Sequence, residues 1–308
     1  MRRAQGGVAL VLVMWVGILL TVIASAFIIE RRTEAMVIGN SISMARAEAI
    51  ADAGVQRAIF EVYRNDNSPD TWKRDGTRYE MLFDGTPVSV EIRDESAKID
   101  INTASEQLLR GLLVSSGVPD DEASRLLDAT LDWRDPDDLK RPNGAEEPDY
   151  KAAGLSYKPA NGPFQAIEEL QLVLGMRPEI YRRLASSITV FSRSPGVNAQ
   201  LASREVLLAI PGATTEVVDA YIARREAARA AGQPLPVFPL AAGISGFTMV
   251  ASIRSEAKLD DGTVFAREAV AVLRPAPRRP VTFLAWRTPP AALAGDAPVN
   301  SSSETTTR

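Results

Sequence analysis

Seven carboxylate side chains fall within one polar stretch of 18 residues near the middle of the chain. Hard cations such as Ca²⁺ bind six to eight oxygen atoms, often from carboxylates separated by one or two residues in a loop. The EF-hand pattern is absent, and Arg134, Lys140 and Arg141 could neutralise the same carboxylates. From composition alone, a solvated acidic loop is therefore favoured over a cation site. The seven residues are Asp132, Asp135, Asp137, Asp138, Glu146, Glu147 and Asp149.

The composition removes the commonest tools of enzymatic chemistry. Among 308 residues there is no cysteine and no histidine, which excludes disulfides, thiol catalysis, imidazole metal ligands and the Ser-His-Asp triad. No GxSxG motif suggests a serine hydrolase, so we expect neither catalytic residues nor an organic cofactor. The net charge of −4 provides no overall basic surface for nucleic acid, and any metal must be held by oxygen atoms.

A long apolar run near the start of the sequence can anchor the chain in a membrane. Residues 8–29 carry no charge, and at about 1.5 Å per residue a helix of this length spans the ~30 Å hydrocarbon core. A cleaved secretion signal is the alternative, because Ala24–Ala26 could form its cleavage site, but the apolar run continues beyond that point. Further apolar residues recur at helical spacing to about Arg64, which predicts one helix of more than 50 residues.

Charges that flank this run bear on its orientation in the membrane. Arg2 and Arg3 favour a cytoplasmic N-terminus, which leaves the bulk of the chain outside the cytoplasm. Arg31 and Arg32 lie at the other end of the run and weaken that assignment.

Strand patterns bracket a helical middle region. Alternating apolar residues predict strands at about 87–102 and 247–273, and the second run contains a hairpin signal at Asp260–Gly262. Helical patterns predominate between these strands. The predicted fold class is therefore α+β, with an antiparallel sheet that is split by a large inserted α-helical domain.

Two helix–turn–helix units with similar patterns occupy the middle region. The first has a predicted helix cap at Asn102–Thr103, and the second begins a helix at Ser203. Both resemble helix-hairpin-helix or SAM-like modules, which in DNA-binding examples place backbone amides against phosphate. Acidic residues beside the turns, Asp120–Glu122 and Glu216, would repel phosphate. A packing module is favoured, and a membrane-anchored DNA-binding protein is kept as the alternative.

The N-terminus resembles that of type IV pilins and pseudopilins. A short basic leader ends in GG before VALVLVMWVGILL, which is similar to a prepilin peptidase site with cleavage between Gly7 and Val8 and methylation of the new N-terminus. Most of that superfamily carries Glu at the fifth mature position, where this chain has Leu12. The blocks DESAKIDINTA, LDWRDPDD and YKPANGPFQAIEELQLVLGM resemble, in order, those of the general secretion pathway protein K family, the largest minor pseudopilins of type II secretion.

That resemblance implies a structural subunit with a pilin-like fold and calcium, one or two ions, bound in the acidic loop. Asp149 stands where the family has an aromatic residue, so it is left out of the ligand set. The implied ligands are Asp132, Asp135, Asp137, Asp138, Glu146 and Glu147.

The resemblance also implies a role and a place in the cell. The role is a minor pseudopilin at the tip of the pseudopilus, which primes or caps assembly and supports export of folded proteins across the outer membrane. The implied partners are the I and J minor pseudopilins, the major pseudopilin, prepilin peptidase, the inner-membrane assembly platform and, as further candidates, a secretin or exoprotein, with no nucleic acid. The implied location is the bacterial inner membrane, single-pass, with a cytoplasmic N-terminus and a periplasmic bulk.

These expectations divide the chain into segments. The last segment is a tail with three large apolar residues that could dock locally, namely Phe283, Leu284 and Trp286. The predicted segments are a leader at 1–7, a membrane helix at 8–29, a helix and the first strands at 30–102, an inserted helical domain at 103–240, the last strands at 241–274 and a largely disordered tail at 275–308.

Overall fold

The computed structural model describes residues 6–64, 71–240, 248–274 and 281–289. Its first element, α1 (Gly6–Arg64), is one helix of 59 residues, which confirms the predicted long helix. No proline falls in this range, so nothing interrupts the backbone hydrogen bonds of the helix. The window Leu10–Phe27 has a mean hydropathy of 2.6 and none of it is buried, so by length and composition it can cross a membrane.

Beyond α1 the chain forms short helices and strands. The described strands are β1 (Asp75–Phe83), β2 (Thr86–Asp94), β3 (Ile99–Asp100), β4 (Ile188–Thr189), β5 (Val250–Lys258), β6 (Val264–Leu273) and β7 (Val281–Arg287). The further helices are α2 (Glu106–Ser115), α3 (Asp120–Arg134), α4 (Glu147–Ala152), α5 (Pro178–Leu184), α6 (Arg204–Leu208) and α7 (Thr215–Ala230). Short 3₁₀ helices cover Glu95–Ala97 and Ile167–Leu172. The fold is mixed α+β, as predicted.

Five strands form one antiparallel sheet in the spatial order β1-β2-β5-β6-β7. The alternation predicted for β2 is confirmed, because Val88, Val90 and Ile92 are fully buried in a core that includes the C-terminal part of α1. The predicted hairpin at Asp260–Gly262 joins β5 to β6, and Gly262 adopts the positive φ of 87° that this turn requires. The sheet and the end of α1 thus form a two-layer unit.

Helix α1 lies very close to the sheet at Gly54. A Cβ atom at this position would lie 2.1 Å from Ser255 Oγ on β5, so a larger residue would push the helix away. A buried guanidinium fixes the same two layers, because Arg267 on β6 donates from Nε to Asp52 Oδ1 at 2.6 Å and also pairs with Glu48. The helix that carries the apolar window is therefore joined firmly to the sheet.

The helical unit is inserted between two neighbouring strands, β2 and β5. Its boundary differs from the prediction, because the strand expected at 87–102 ends at Asp94. There the Asp94 carboxylate accepts a hydrogen bond from Ser96 N at 2.9 Å and starts a 3₁₀ turn. Ile99 and Ile101 keep the alternation of the strand, but they are buried in the separate core of the helical unit. β3 pairs in parallel with β4 rather than with the sheet.

The tail at 275–308, predicted to be largely disordered apart from local docking of Phe283, Leu284 and Trp286, contains β7 at 281–287, which completes the sheet. The edge of β6 offers unpaired backbone groups, and β7 satisfies them. Phe283 and Trp286 pack edge to face with ring centroids 5.0 Å apart, and the Arg267 guanidinium lies 5.3 Å from the Trp286 ring. These contacts stabilise residues 281–287 as an ordered strand. Residues 275–280 and 290–308 lie outside the described residues.

The two predicted helix pairs are present as α2–α3 and α6–α7. Ser203 caps α6 as predicted, but Ser105 rather than Asn102–Thr103 caps α2. The pairs contact each other where α2 crosses the end of α6, and a Cβ atom on Gly111 would lie 2.1 Å from Ala209 O. The predicted SAM-like class of this unit stays a prediction.

Candidate metal centre

The acidic segment starts at the C-terminal end of α3 and is held in place by an aromatic cluster. Trp133, the second-last residue of α3, lies 6.1 Å from Tyr150 and 6.0 Å from Phe164, measured between ring centroids. The Tyr150 hydroxyl accepts a hydrogen bond from Leu174 N at 2.9 Å. All three rings are buried, so the loop between them is fixed at both ends.

Asn102 closes the loop onto the base of the helical unit. Its amide Nδ2 donates to Phe164 O at 2.9 Å, and its Oδ1 accepts from Phe164 N at 2.8 Å. This paired contact mimics one step of a β-ladder and explains why Asn102 is not a helix cap. The backbone N–H of Gly162 also donates to Trp133 O at 3.3 Å, so the C-terminal segment of the loop lies against the end of α3.

Asp132 is fully buried and binds the backbone of the loop. Its carboxylate accepts hydrogen bonds from Ala145 N at 2.8 Å and from Arg141 N at 3.3 Å. The contact requires glycine at position 144, because a Cβ atom on Gly144 would lie 1.9 Å from Asp132 Oδ2. Burial raises the pKa of Asp132, although the two backbone donors oppose that shift. The Asp132 carboxylate thus fixes the conformation of the loop and brings the other carboxylates of the acidic segment close together.

Asp135 and Glu146 carry buried carboxylate oxygens that have no hydrogen-bond partner among the described residues. Asp135 Oδ1 and both Glu146 oxygens are in this state. Burial raises the pKa of Glu146 to about 7, and the charges of Asp132, Asp135, Asp138 and Asp137 add to the shift. Burial and the charge of Asp137 raise the pKa of Asp135. Buried polar atoms are almost always paired, so these oxygens have the capacity to share a proton or to coordinate a cation.

Asp137 and Asp138 complete the group at the start of the loop. Asp137 Oδ1 accepts from Leu139 N at 2.8 Å, and Asp138 Oδ1 accepts from Asn161 Nδ2 at 2.8 Å. Asn161 has a positive φ of 46°, and its buried Oδ1 has no partner. Asn161 is therefore an additional oxygen donor that the sequence analysis missed. The signal for it is the Asn-Gly turn in PANGPF, since asparagine tolerates this backbone conformation.

Glu147 does not join this group, in contrast to its predicted role as a ligand. Its two carboxylate oxygens face Lys151 Nζ at 2.6 Å and Lys158 Nζ at 3.4 Å. Hydrogen bonds from these lysines lower the pKa of Glu147. Asp149, which was left out of the ligand set, also faces elsewhere, because it binds Lys140 Nζ at 2.6 Å and Glu146 N at 2.9 Å. The cluster of Asp132, Asp135, Asp137, Asp138 and Glu146 is hereafter called the acidic cluster.

The chemistry of the acidic cluster fits a hard cation. Its donors are carboxylate oxygens, with the Asn161 amide oxygen beside them, and calcium prefers such ligands. Arg141 neutralises Asp132 only in part, because its Nε lies 3.9 Å from Asp132 Oδ1 and its guanidinium also pairs with Glu106 at 2.9 Å. Among the described residues, no three acidic side chains already stand at metal-ligating spacing. Binding would therefore require the side chains to rotate inwards.

Gly7 and Val8, the predicted cleavage site, lie in the first turn of α1. Leu12 follows one turn later and is 61% exposed. Nothing in this helix geometry tests cleavage or methylation, so both stay predictions.

Two arginines of the helix pairs are held in ion pairs. Arg110 on α2 binds Asp120 at 2.8 Å, and Arg204 on α6 binds Asp219 through two contacts at 2.7 and 3.1 Å. Guanidinium groups engaged in this way are poorly placed to bind phosphate. This geometry favours the packing role of the helix pairs over the DNA-binding alternative.

Comparison with known proteins gives consistent matches. A family model described as type II secretion system (T2SS), protein K matches residues 90–196, a range that contains the acidic cluster. Type II secretion system protein K of Pseudomonas aeruginosa is 28% identical over 246 residues, which cover 71% of this chain and 73% of that protein. The protein of the same name from Klebsiella pneumoniae is 27% identical over 234 residues, which cover 68% and 71% of the two chains.

The fold also matches a solved structure. A chain in the crystal structure of the GspK-GspI-GspJ complex from the enterotoxigenic Escherichia coli type 2 secretion system superposes with a TM-score of 0.61. The match covers 81% of this chain and 98% of that chain at 16% sequence identity. At this identity the likeness concerns the fold alone.

Proposed function

We propose that this chain is a minor pseudopilin at the tip of the pseudopilus, because the family model and the relatives that match it are described as type II secretion system protein K. There it would prime or cap assembly during the export of folded proteins across the outer membrane. One observation carries the proposal, namely that a single helix joins an exposed apolar window, Leu10–Phe27, to a sheet with a large helical insertion. An anchored subunit with so broad a head would obstruct any subunit above it.

The proposed anchoring follows from the same helix. The apolar window would cross the inner membrane once, with the N-terminus in the cytoplasm and the sheet and helical unit in the periplasm. Prepilin peptidase would remove residues 1–7, and Val8 would become the methylated N-terminus. Subunits of this architecture are structural, so no catalytic activity is proposed for the chain itself.

Leu12 supports the tip position on physical grounds. In a pilin-like filament a carboxylate at the fifth mature position can pair with the N-terminal amine of a neighbour, in a setting where an unpaired charge is costly. Leu12 offers an apolar side chain instead. A subunit stacked on this chain would find no partner for its amine, which favours a position at which nothing follows.

The proposed partners are the I and J minor pseudopilins, because the structure with the same fold is a complex of proteins K, I and J. The major pseudopilin and the inner-membrane assembly platform would be contacted during assembly. At the tip, the side of the subunit that faces away from the inner membrane would contact a secretin or an exoprotein.

We also propose that the acidic cluster binds calcium, as one or two ions. The support is the set of buried oxygens without partners on Asp135, Glu146 and Asn161, together with the loop that Asp132 holds in place. A bound Ca²⁺ would supply positive charge that lets the carboxylates stay ionised together. Asp132, Asp135, Asp137, Asp138 and Glu146 are the proposed ligands, with Asn161 as an added oxygen donor and Glu147 outside the set.

Mass spectrometry of the N-terminus tests the pseudopilin assignment. Expressed together with prepilin peptidase, the chain should begin at Val8 and carry one added methyl group. The Gly7→Leu variant should keep its leader, whereas Gly17→Leu, where no atom lies within 4 Å of the added Cβ, should be processed normally. An intact Met1 in the presence of the peptidase, or cleavage near Ala26, would contradict the assignment.

A further inference from the structure

A cleft of 860 Å³ lies between the end of the sheet and the base of the inserted helical unit. The helical unit contributes Phe164 and Phe191 to its walls, and the sheet side contributes Met249 and Leu284. Met249 is 39% and Leu284 is 43% exposed, so these apolar side chains face solvent rather than a core. A concave surface with exposed apolar walls is typical of binding sites.

The local backbone directs Leu284 away from the regular pattern of β7. The register between β6 and β7 shifts here, because Val270 pairs with Ala285 whereas Ala271 pairs with Phe283. Leu284 is the extra residue of this β-bulge, and bulges redirect side chains and are common next to functional sites. β7 is also one of the two edge strands of the described sheet. The bulge accounts for an apolar side chain on the cleft wall.

The charge of the cleft is positive. Arg193 and Arg274 line it, both are exposed, and neither guanidinium forms an ion pair with any described residue. Asp100 also borders the cleft, but it is 1% exposed. Its carboxylate is engaged by Asn102 N at 2.9 Å, Arg193 N at 2.7 Å and Ser192 Oγ at 3.2 Å. The cleft therefore presents two unpaired cations and no free carboxylate among its described lining residues.

The position of Arg193 is held against its backbone preference. Arg193 has a φ of 52°, a left-handed conformation that non-glycine residues adopt infrequently. The hydrogen bond from its N–H to the buried Asp100 carboxylate maintains this conformation. Residues held in such conformations are concentrated at binding sites.

We propose that this cleft binds an extended peptide segment of a partner protein that carries both carboxylates and apolar side chains. The carboxylates would pair with Arg193 and Arg274, and the apolar side chains would cover Met249 and Leu284. A nucleic acid could satisfy the guanidinium groups, but its phosphate backbone would leave the apolar walls exposed, so the peptide is favoured. The proposal depends on neither the tip position nor calcium.

A binding assay with the full-length chain in lipid nanodiscs tests the cleft. The probe is a short fluorescein-labelled peptide in which leucine and glutamate alternate, and its fluorescence anisotropy reports binding. A peptide with lysine in place of glutamate should not bind. Arg193→Gln and Arg274→Gln should each weaken binding of the glutamate peptide about fivefold or more, and Met249→Ser should weaken it as well. Arg125→Gln, another exposed arginine without a described ion pair, should leave the affinity unchanged.

Several results would overturn the proposal. These are an absence of saturable binding by the glutamate peptide, equal binding of the lysine peptide, or an unchanged affinity in the double variant Arg193→Gln/Arg274→Gln. An unchanged affinity in Met249→Ser would do the same, because the apolar walls are part of the site. Displacement of the peptide by a lower concentration of single-stranded oligothymidylate would assign the cleft to nucleic acid instead. Equal melting temperatures of the variants show that they are folded.

Discussion

Glu95 and Glu146 are both carboxylates that the fold removes from water, at 1% and 4% exposure, but they meet opposite surroundings. Glu95 lies where the chain leaves the sheet, and it accepts from Lys98 Nζ at 2.7 Å and from the Thr189 hydroxyl. Burial alone would raise the pKa of Glu95, but the charge of Lys98 and the donors around the carboxylate outweigh it and lower that pKa. Glu146 has no donor at its carboxylate, and its pKa is raised to about 7.

The difference separates a structural carboxylate from one that is prepared for a ligand. At Glu95 the protein itself supplies the compensating charge and hydrogen bonds, so the group joins the sheet to the helical unit without help. At Glu146 the loop supplies burial and further negative charge but no hydrogen-bond donor. Binding of a proton or a cation therefore stabilises the native state. The following predictions test this contrast, from the largest expected effect to the smallest.

Truncation of Glu95 should destabilise the protein most. Glu95→Ala removes one partner of a buried ion pair and leaves Lys98 and Thr189 unpaired at the junction, so we expect a loss of about 3 kcal/mol in the free energy of unfolding. Denaturant unfolding of the full chain in detergent measures it. Glu95→Gln keeps the shape and one acceptor oxygen, and it should lose less. A loss near zero in Glu95→Ala would show that the junction does not depend on this pair.

The pH dependence of stability should have opposite signs at the two sites. Without calcium, Glu146 binds its proton more tightly in the folded than in the unfolded chain, so its stabilising effect is present at low pH. That effect is lost as pH rises from the unfolded value of 4.5 to about 7, on the order of 3 kcal/mol in total. The lowered pKa of Glu95 acts in the other direction, because its contribution is present above the unfolded pKa and is lost as pH falls through the folded pKa.

Glu146→Gln separates the two contributions. In chelator, this variant should show a smaller decline of stability between pH 4.5 and 7, because only the raised pKa values of Asp132 and Asp135 still contribute to it, and it should be more stable than the wild type at pH 8. Glu95→Gln is the matched control, because it should keep that decline. A Glu146→Gln variant with an unchanged pH profile would mean that Glu146 is not the group that is destabilised by ionisation.

Gly144 tests whether the loop must approach Asp132 closely. Gly144→Ala places a Cβ atom 1.9 Å from Asp132 Oδ2, so the loop must move and we expect a loss of about 1–3 kcal/mol together with weaker calcium binding. Gly162→Ala is the matched control in the same loop, since the nearest atom to its added Cβ, Ala160 O, would lie 3.8 Å away. Equal melting temperatures and equal calcium responses in both variants would contradict the described loop geometry.

Glu147 should give the smallest effect of all. Its partners are the exposed amines of Lys151 and Lys158, and exposed ion pairs contribute little to stability. Glu147→Gln should therefore melt like the wild type and keep its calcium response, as thermal melts with calcium and with chelator would show. A lost response in this variant would return Glu147 to the ligand set that the sequence predicts.

Local patterns predicted the parts of the fold that depend on local physics. The proline-free helix to Arg64, the alternating face of β2 at Val88 and Val90 and the hairpin at Gly262 all follow from residue spacing or turn chemistry. Ile99 misled the strand prediction, because alternation shows that a side chain is buried but not which core receives it. β7 was missed because the β-bulge at Leu284 breaks the alternation of its side chains, and its order depends on pairing with the edge of β6.

The candidate site was predictable in composition but not in geometry. The spacing of Asp132, Asp135 and Glu146 placed the acidic residues in one loop, whereas their burial depends on Trp133 and Phe164, which only the folded chain brings together. The same spacing could not separate Glu146 from its neighbour Glu147, since adjacent residues of a helix start point in different directions.

Calcium binding by the acidic cluster tests the central contrast most directly. The melting temperature of the full chain should be measured in chelator and in rising calcium, for the wild type, Glu146→Gln and Glu147→Gln. We predict that calcium stabilises the wild type and Glu147→Gln, by about 2.7 kcal/mol at a hundredfold excess over Kd, and that it leaves Glu146→Gln unchanged. Identical melting curves of the wild type in calcium and in chelator would contradict the account and leave the loop as a solvated acidic segment.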